Sequence, residues 1–375
     1  MRREGVQIAA TGSYLPGEPL TNDDVERLVG PLPPDILEGI QVQRRHWLVD
    51  PETGAHRINN SEMATEAARR ALDAAGMGAD ELELMIVSTA SPDYLLPPMV
   101  TFVQEALGLE RCATTEIRSG CAGAVEALDV ARLYLESGMY RNAIVIGSEA
   151  ISPLLVPVYL GKDPDKIRMR DRMNPYNFGD GAGAVVLSVA DESDDRGIVG
   201  SAIRSVGGAR KPGMQIVGAG THLPVHEQLK SKQFIELQVD VVESGRHTPH
   251  VLTEALTEVL RATGTRAEDV DLCVIPEGNA GYMVEELKAA GLATPEWLAL
   301  EDKIYENLTD VGATGSAAVP LALDDAWRKG RLKPGDKVMV LAIETSKWKY
   351  AGIVLTWTAA PYREVSSLPE AVKAS

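Results

Sequence analysis

Cysteine is scarce in this chain: 375 residues hold only Cys112, Cys121 and Cys273. The number is odd and no two are spaced as a pair, so neither a disulfide framework nor a zinc site is suggested. Each cysteine must be explained by packing or by chemistry. Long apolar runs are missing as well. None reaches the length of a bilayer span, and Met1-Arg2-Arg3 leads into a short strand pattern, not a secretory apolar core. The expectation is a cytoplasmic protein with no membrane role. Positive charge is in deficit, with 37 Lys and Arg against 54 Asp and Glu and a formal net charge of −17. Binding to a phosphate backbone usually needs a basic stripe, which argues against nucleic acid as a partner. The same deficit weakens any expectation of a broad basic face for docking an acidic partner.

What is present is ordinary globular composition, 45% hydrophobic and 24% charged, enough for one large core or two fused ones and unlike a disordered chain. Apolar strand-like runs at Leu84–Ser88, Ala143–Gly147, Leu272–Ile275 and Val338–Ile343 alternate with helical patterns at Ser61–Ala75 and Thr248–Thr263. That alternation predicts an α/β architecture with covered sheets. Each of the two helices is followed by an acidic turn and a strand, Ala79-Asp80-Glu81-Leu82-Glu83-Leu84 in one half and Ala267-Glu268-Asp269-Val270-Asp271-Leu272 in the other. The repetition predicts an internal duplication, with residues 1–187 as one half and 188–375 as the other. The polar, acidic stretch Ala190–Arg196 reads as the connector. Gly161–Tyr176, dense in charge and proline, reads as a surface insertion or cap.

Cys121 stands in Ile117-Arg118-Ser119-Gly120-Cys121-Ala122-Gly123-Ala124, between a β-compatible run and the helical pattern Ala124–Ser137. A thiol at a helix N-terminus is stabilised as the thiolate by the partial positive charge and amide groups there. Small neighbours leave room for a bulky thioester. A buried small hydrophobe is the competing reading of Cys121. It is the better one for Cys112, in a loop after a helix, and for Cys273, inside an apolar strand.

Several segments together make the chain resemble the ketoacyl-ACP synthase III enzymes, condensing enzymes of the thiolase superfamily. They are Gly12-Ser13-Tyr14-Leu15-Pro16 with Leu20-Thr21-Asn22-Asp23, Ser91-Pro92-Asp93-Tyr94-Leu95-Leu96-Pro97, Ser119-Gly120-Cys121-Ala122-Gly123, Phe178-Gly179-Asp180-Gly181-Ala182-Gly183-Ala184 and Gly330-Arg331-Leu332-Lys333-Pro334-Gly335-Asp336. The run Phe178–Ala184 lacks the Lys-Ser/Thr ending of a phosphate loop, and tight packing beside an active site explains its glycines better. The resemblance implies a five-layered αβαβα thiolase-like fold, a homodimer, and a ping-pong reaction. In that reaction Cys121 accepts an acyl group from a CoA or acyl-carrier-protein thioester. No cofactor is implied beyond the phosphopantetheine of that substrate, and no metal.

The chain departs from the family pattern where the second half-reaction is run. The family holds a malonyl thioester with a His and an Asn. Here Pro276-Glu277-Gly278-Asn279-Ala280 carries Glu277 at the expected His, with Asn279 matching the motif's last residue, and Asp310-Val311-Gly312-Ala313-Thr314-Gly315-Ser316 carries Ala313 at the expected Asn. Losing one such oxyanion donor typically costs about 10²–10³ in rate, so ordinary malonyl condensation is disfavoured. A carboxylate at Glu277 repels a malonyl carboxylate, yet suits removal of a proton from a hydroxyl or amine. Asp310 is a second candidate for that base, or else a turn cap.

The resemblance places the oxyanion hole at the backbone N–H groups of Cys121 and Ser346. Ser346 stands in Ile343-Glu344-Thr345-Ser346-Lys347-Trp348, where the family has glycine. Replacement by Ser preserves the N–H unless a positive φ is required there. The six histidines, His46, His56, His222, His226, His247 and His250, lie outside these motifs. The leading expectation is an acyltransferase of specialised metabolism that passes an acyl group from Cys121 to the oxygen or nitrogen of a small-molecule acceptor. A carbon–carbon bond-forming synthase and an inactive ketosynthase-like partner subunit are the alternatives.

Overall fold

The computed structural model describes residues 5–190, 197–218, 220–231, 235–276, 278 and 280–363. Two five-stranded mixed sheets form its frame. In chain order the strands are β1 (Val6–Tyr14), β2 (Leu20–Thr21), β3 (Arg44–Arg45), β4 (Leu84–Ser88), β5 (Ala113–Ile117), β6 (Asn142–Glu149) and β7 (Gly181–Val189). They continue with β8 (Ile198–Ser205), β9 (Met214–Gly218), β10 (Ile235–Val239), β11 (Leu272–Val274), β12 (Ile304–Tyr305), β13 (Lys337–Glu344) and β14 (Lys349–Thr356). The first sheet runs β1-β7-β6-β4-β5 and the second β8-β14-β13-β11-β12. Directions match as well: the first three strands of each order pair antiparallel and the last three parallel. Of the expected connector only Ala190 lies within the described residues.

The strands are apolar on both faces because both are covered. In β4, Leu84 and Ile86 join a central cluster while Met85 and Val87 join an outer one. In β13, Val338, Val340 and Ala342 face the centre while Met339, Leu341 and Ile343 face the other outer layer. Helix Asn60–Ala75 covers the first sheet from outside through Met63, Ala64, Ala67, Ala68, Ala71 and Leu72. It begins at an Asn59/Glu62 capping box and ends at Gly76 in the left-handed conformation. Helix Val241–Thr263 covers the second sheet through Val251, Leu252, Ala255, Leu256 and Val259. It starts well before the expected Thr248, capped by Asp240, whose carboxylate accepts the Glu243 amide at 3.0 Å, and it runs through Pro249.

Between the sheets lie helices Gly123–Glu136 and Ala318–Arg328, which supply Leu128, Leu135, Leu323 and Trp327 to the central cluster. The order is therefore helix, sheet, helix, sheet, helix. Glycine makes the central packing possible at Gly183, where an added Cβ would lie 2.6 Å from Cβ of Pro320 and 2.7 Å from the Leu321 nitrogen. The expected cap at Gly161–Tyr176 is folded onto the surface: its helix Met169–Asn177 buries Tyr176, and Arg172 donates to the Pro31 carbonyl at 2.8 Å. Among the described residues no helix is long and apolar enough to cross a membrane.

Candidate active site

Because β4, β5 and β6 are parallel, their C-terminal ends open on one edge of the first sheet, and β11, β12 and β13 do the same in the second. Such edges are where open α/β sheets place ligands. Cys121 sits just beyond β5, in a 3₁₀ turn (Gly120–Ala122) that runs directly into helix Gly123–Glu136. Its side chain is half-buried and lines a cavity of about 430 Å³. Ile151, Leu154, Phe178, Met214, Ile216 and Leu237 supply apolar wall. A second cavity of about 530 Å³ shares Ser91, Leu154, Ile216 and the exposed Arg118 with it. The thiol is thus not sealed in a core. Cys273 is, with burial pushing its thiol up to about 12, and burial pushes Cys112 up to about 11.

The turn is held from the other half of the molecule. The Ser316 hydroxyl donates to the Gly120 carbonyl at 2.8 Å. Lys349, first residue of β14, bridges the Ser119 hydroxyl at 2.8 Å and the Glu126 carboxylate at 2.5 Å. The dominant feature is Glu344, last residue of β13. Strand alternation puts it on the same face as Ala342, toward the centre, where it is 5% exposed. One of its carboxylate oxygens accepts the Cys121 N–H at 2.5 Å and the other the Ser346 N–H at 2.7 Å. The two amides that the resemblance assigns to an oxyanion hole thus both donate to this one carboxylate, each to a different oxygen. Burial raises the Glu344 pKa, the bonds from Ser346 and Cys121 oppose the rise, and the nearby Glu149 adds to it.

Ser346 needs no left-handed backbone; in that loop the positive φ falls on Trp348 (62°), a buried side chain whose indole N–H donates to the Lys211 carbonyl at 2.7 Å. The serine is therefore compatible with the amide's position.

Glu344 has a counterpart. Glu149 ends β6, the matching strand of the first sheet, and accepts the Ser316 amide at 3.0 Å. Ser316 occupies a 3₁₀ turn (Gly315–Ala317) that precedes helix Ala318–Arg328, as the Cys121 turn precedes its own helix. Gly120 and Gly315 have matching φ values of 49° and 53°, and a Cβ on either would strike the acid of the opposite half. The two differ in how they are held. Glu149 also accepts Thr89 Oγ1 and the Ala90 and Ser91 amides, at 3.0, 2.7 and 2.9 Å, and the Ser91 hydroxyl at 2.6 Å.

Of the other expected site residues, Asp310 does not line the cavity. Its carboxylate is exposed and paired with Arg44, whose Nη2 and Nε lie 2.6 and 3.2 Å away. Ala313 is half-buried and packs with Ile151, Leu155 and Phe178, behind the cavity wall. Glu277 and Asn279 lie outside the described residues. Asp180, in the glycine-rich run, is fully buried and accepts the amides of Leu48, Ile151 and Ser152 and the Ser152 hydroxyl. It locks the wall residue Ile151 to the sheet. Glu344 was missed by motif reading, yet a signal was there: Asn142–Glu149 and Lys337–Glu344 are equal apolar runs that both stop on glutamate.

Known proteins agree with this layout. Residues 115–207 match the model of 3-oxoacyl-[acyl-carrier-protein] synthase III and residues 260–357 that of its C-terminal part. The beta-ketoacyl-[acyl-carrier-protein] synthase III of Caldanaerobacter subterraneus is 32% identical over 352 residues, 94% of this chain and 96% of that protein. The chain belongs to the ketoacyl-ACP synthase III family. Among solved structures, the family enzyme of Aquifex aeolicus matches with a TM-score of 0.75 and 26% identity, over 94% of this chain and all of that one. A tetronic acid condensing enzyme matches with 0.79 and 29%, over 94% and 99%. The duplicated sheets are thus the family's thiolase-like fold, and the activity is of the acyl-transferring and condensing kind.

Proposed function

We propose that this family member is an acyltransferase in which Cys121 takes an acyl group from a CoA or acyl-carrier-protein thioester and delivers it to the oxygen or nitrogen of a small-molecule acceptor. One observation carries the reading: a half-buried thiol opens on an apolar cavity, and its own amide converges with that of Ser346 on a single anionic group. An acyl carbonyl carried on Cys121 needs such a pair of donors when it becomes tetrahedral. The cavity walls suit an acyl chain, and Ala313 offers no hydrogen bond to an enolate. The acceptor's proton goes to a carboxylate: motif position supplies Glu277 as a candidate, two residues before Asn279 in the sequence, whereas Asp310 is engaged by Arg44 at the surface. A homodimer belongs to the same reading, with the exposed Tyr94, Leu95 and Leu96 as apolar surface for it.

Intact-mass spectrometry with a panel of acyl-CoA and acyl-carrier thioesters tests this. Wild type gains the acyl mass without loss of CO₂ and Cys121→Ala does not; no adduct with any donor refutes the reading. The names of the relatives favour a second one, carbon–carbon bond formation, which predicts a new ketone in the product.

A further inference from the structure

Resting on the acyl-enzyme reading, we propose that Glu344 is the proton acceptor of the second half-reaction, stored in the oxyanion hole of the free protein and released by the acyl oxygen that displaces it. A thioester carbonyl on Cys121 and the Glu344 carboxylate need the same two amides, so both cannot use them at once. Acylation therefore moves Glu344 off the Cys121 and Ser346 N–H groups. A carboxylate that gives up two donors while staying buried becomes a stronger base. It does so beside the thioester and inside the cavity that must admit the acceptor.

The step balances without a further reagent. The acceptor's O–H or N–H proton passes to Glu344 while the acceptor's lone pair attacks the thioester carbonyl carbon. The resulting oxyanion is held by the two amides. Collapse breaks the C–S bond, the electron pair leaves on sulfur, and the proton on Glu344 passes to it. Glu344, ionised again, returns to the empty hole. Glu149 cannot serve in its place, because the donors of residues 89–91 and 316 tie down both its oxygens.

Wild type, Glu344→Gln, Glu344→Ala and Glu277→Gln would be loaded with acetyl-CoA or octanoyl-CoA, and acyl-enzyme formation and decay followed by intact mass. Decay would be read in water, in ethanol, and with hydroxylamine, a nucleophile that needs little base assistance. Both Glu344 variants are expected to load at least as fast as wild type, since the hole is easier to vacate. Their transfer to water and ethanol should slow by about 10²–10⁴, the usual reach of general base catalysis, with hydroxylamine decay within about threefold of wild type. A purely structural Glu344 would slow loading and all decay together. That outcome, or unchanged transfer, overturns the assignment, as does a comparable slowing in Glu277→Gln alone. Wild type that loads normally while Glu344→Gln transfers normally leaves the acyl-enzyme reading intact. Wild type that never loads removes that reading and this one with it.

Discussion

The Glu344 carboxylate accepts the backbone N–H of Cys121 across 2.5 Å, a contact between residues 223 positions apart. It ties the end of β13 in one half to the turn that carries Cys121 in the other.

Removing the thiol should abolish covalent loading. Cys121→Ala is expected to show no acyl mass with any donor that labels wild type, while Cys112→Ala and Cys273→Ala label normally. Burial holds both of those thiols far toward the protonated, unreactive form.

Transfer from the acyl-enzyme should have an acid limb set by Glu344. A base works ionised, and burial raises this carboxyl above its ordinary 4.5, so the rate falls as pH drops through a value higher than that. Cys121, Glu149, Arg118, Lys347 and Lys349 line the same cavity, and Lys349 is neutralised by Glu126. Pre-loaded wild type should show the limb in a stopped-time mass assay, and Glu344→Gln should not. Stability carries the related sign: a raised pKa contributes most below 4.5 and that contribution is lost as pH rises through the folded value.

Gly120→Ala should destabilise the protein by about 1–3 kcal/mol, because the new Cβ would lie 1.7 Å from a Glu344 oxygen and the residue has a φ of 49°. In a Glu344→Ala background the clash disappears and only the backbone strain remains. A double-mutant cycle by denaturant unfolding should therefore show coupling between the two sites; additivity would mean that they do not touch.

Gly183→Ala should cost a similar amount, about 1–3 kcal/mol, by pressing helix Ala318–Arg328 away from β7 at Pro320 and Leu321. Thermal melting reads it directly. Since this helix follows the turn that holds Gly120, slower loading of Cys121 should accompany the loss.

Lys349→Met should leave global stability within about 1 kcal/mol, since its pair with Glu126 is partly solvated. It frees Ser119, two residues before Cys121, and an approximately tenfold slower loading, about 1.4 kcal/mol in barrier, is expected in single-turnover measurements.

Much of this protein could be read along the chain. Continuous apolar runs named the strands at 84–88 and 338–343 because each face of each sheet meets its own hydrophobic layer. Repeated acidic turns after helices announced the duplication, and the place of Cys121 between a β-compatible run and a helical pattern set it at the start of its helix. Those are local properties, written in consecutive residues. The pairing of Glu344 with Cys121 and Ser346 was not local. It arises because strand parity turns Glu344 inward and the two duplicated sheets pack their C-terminal edges together. Asp310 shows the converse: beside the family motif in sequence, it is drawn off by Arg44, a partner that only folding supplies. The sequence by itself determined the fold and the setting of Cys121; the tertiary structure alone decided which carboxylate reaches the Cys121 backbone, since that distance depends on two chain segments meeting across the central layer.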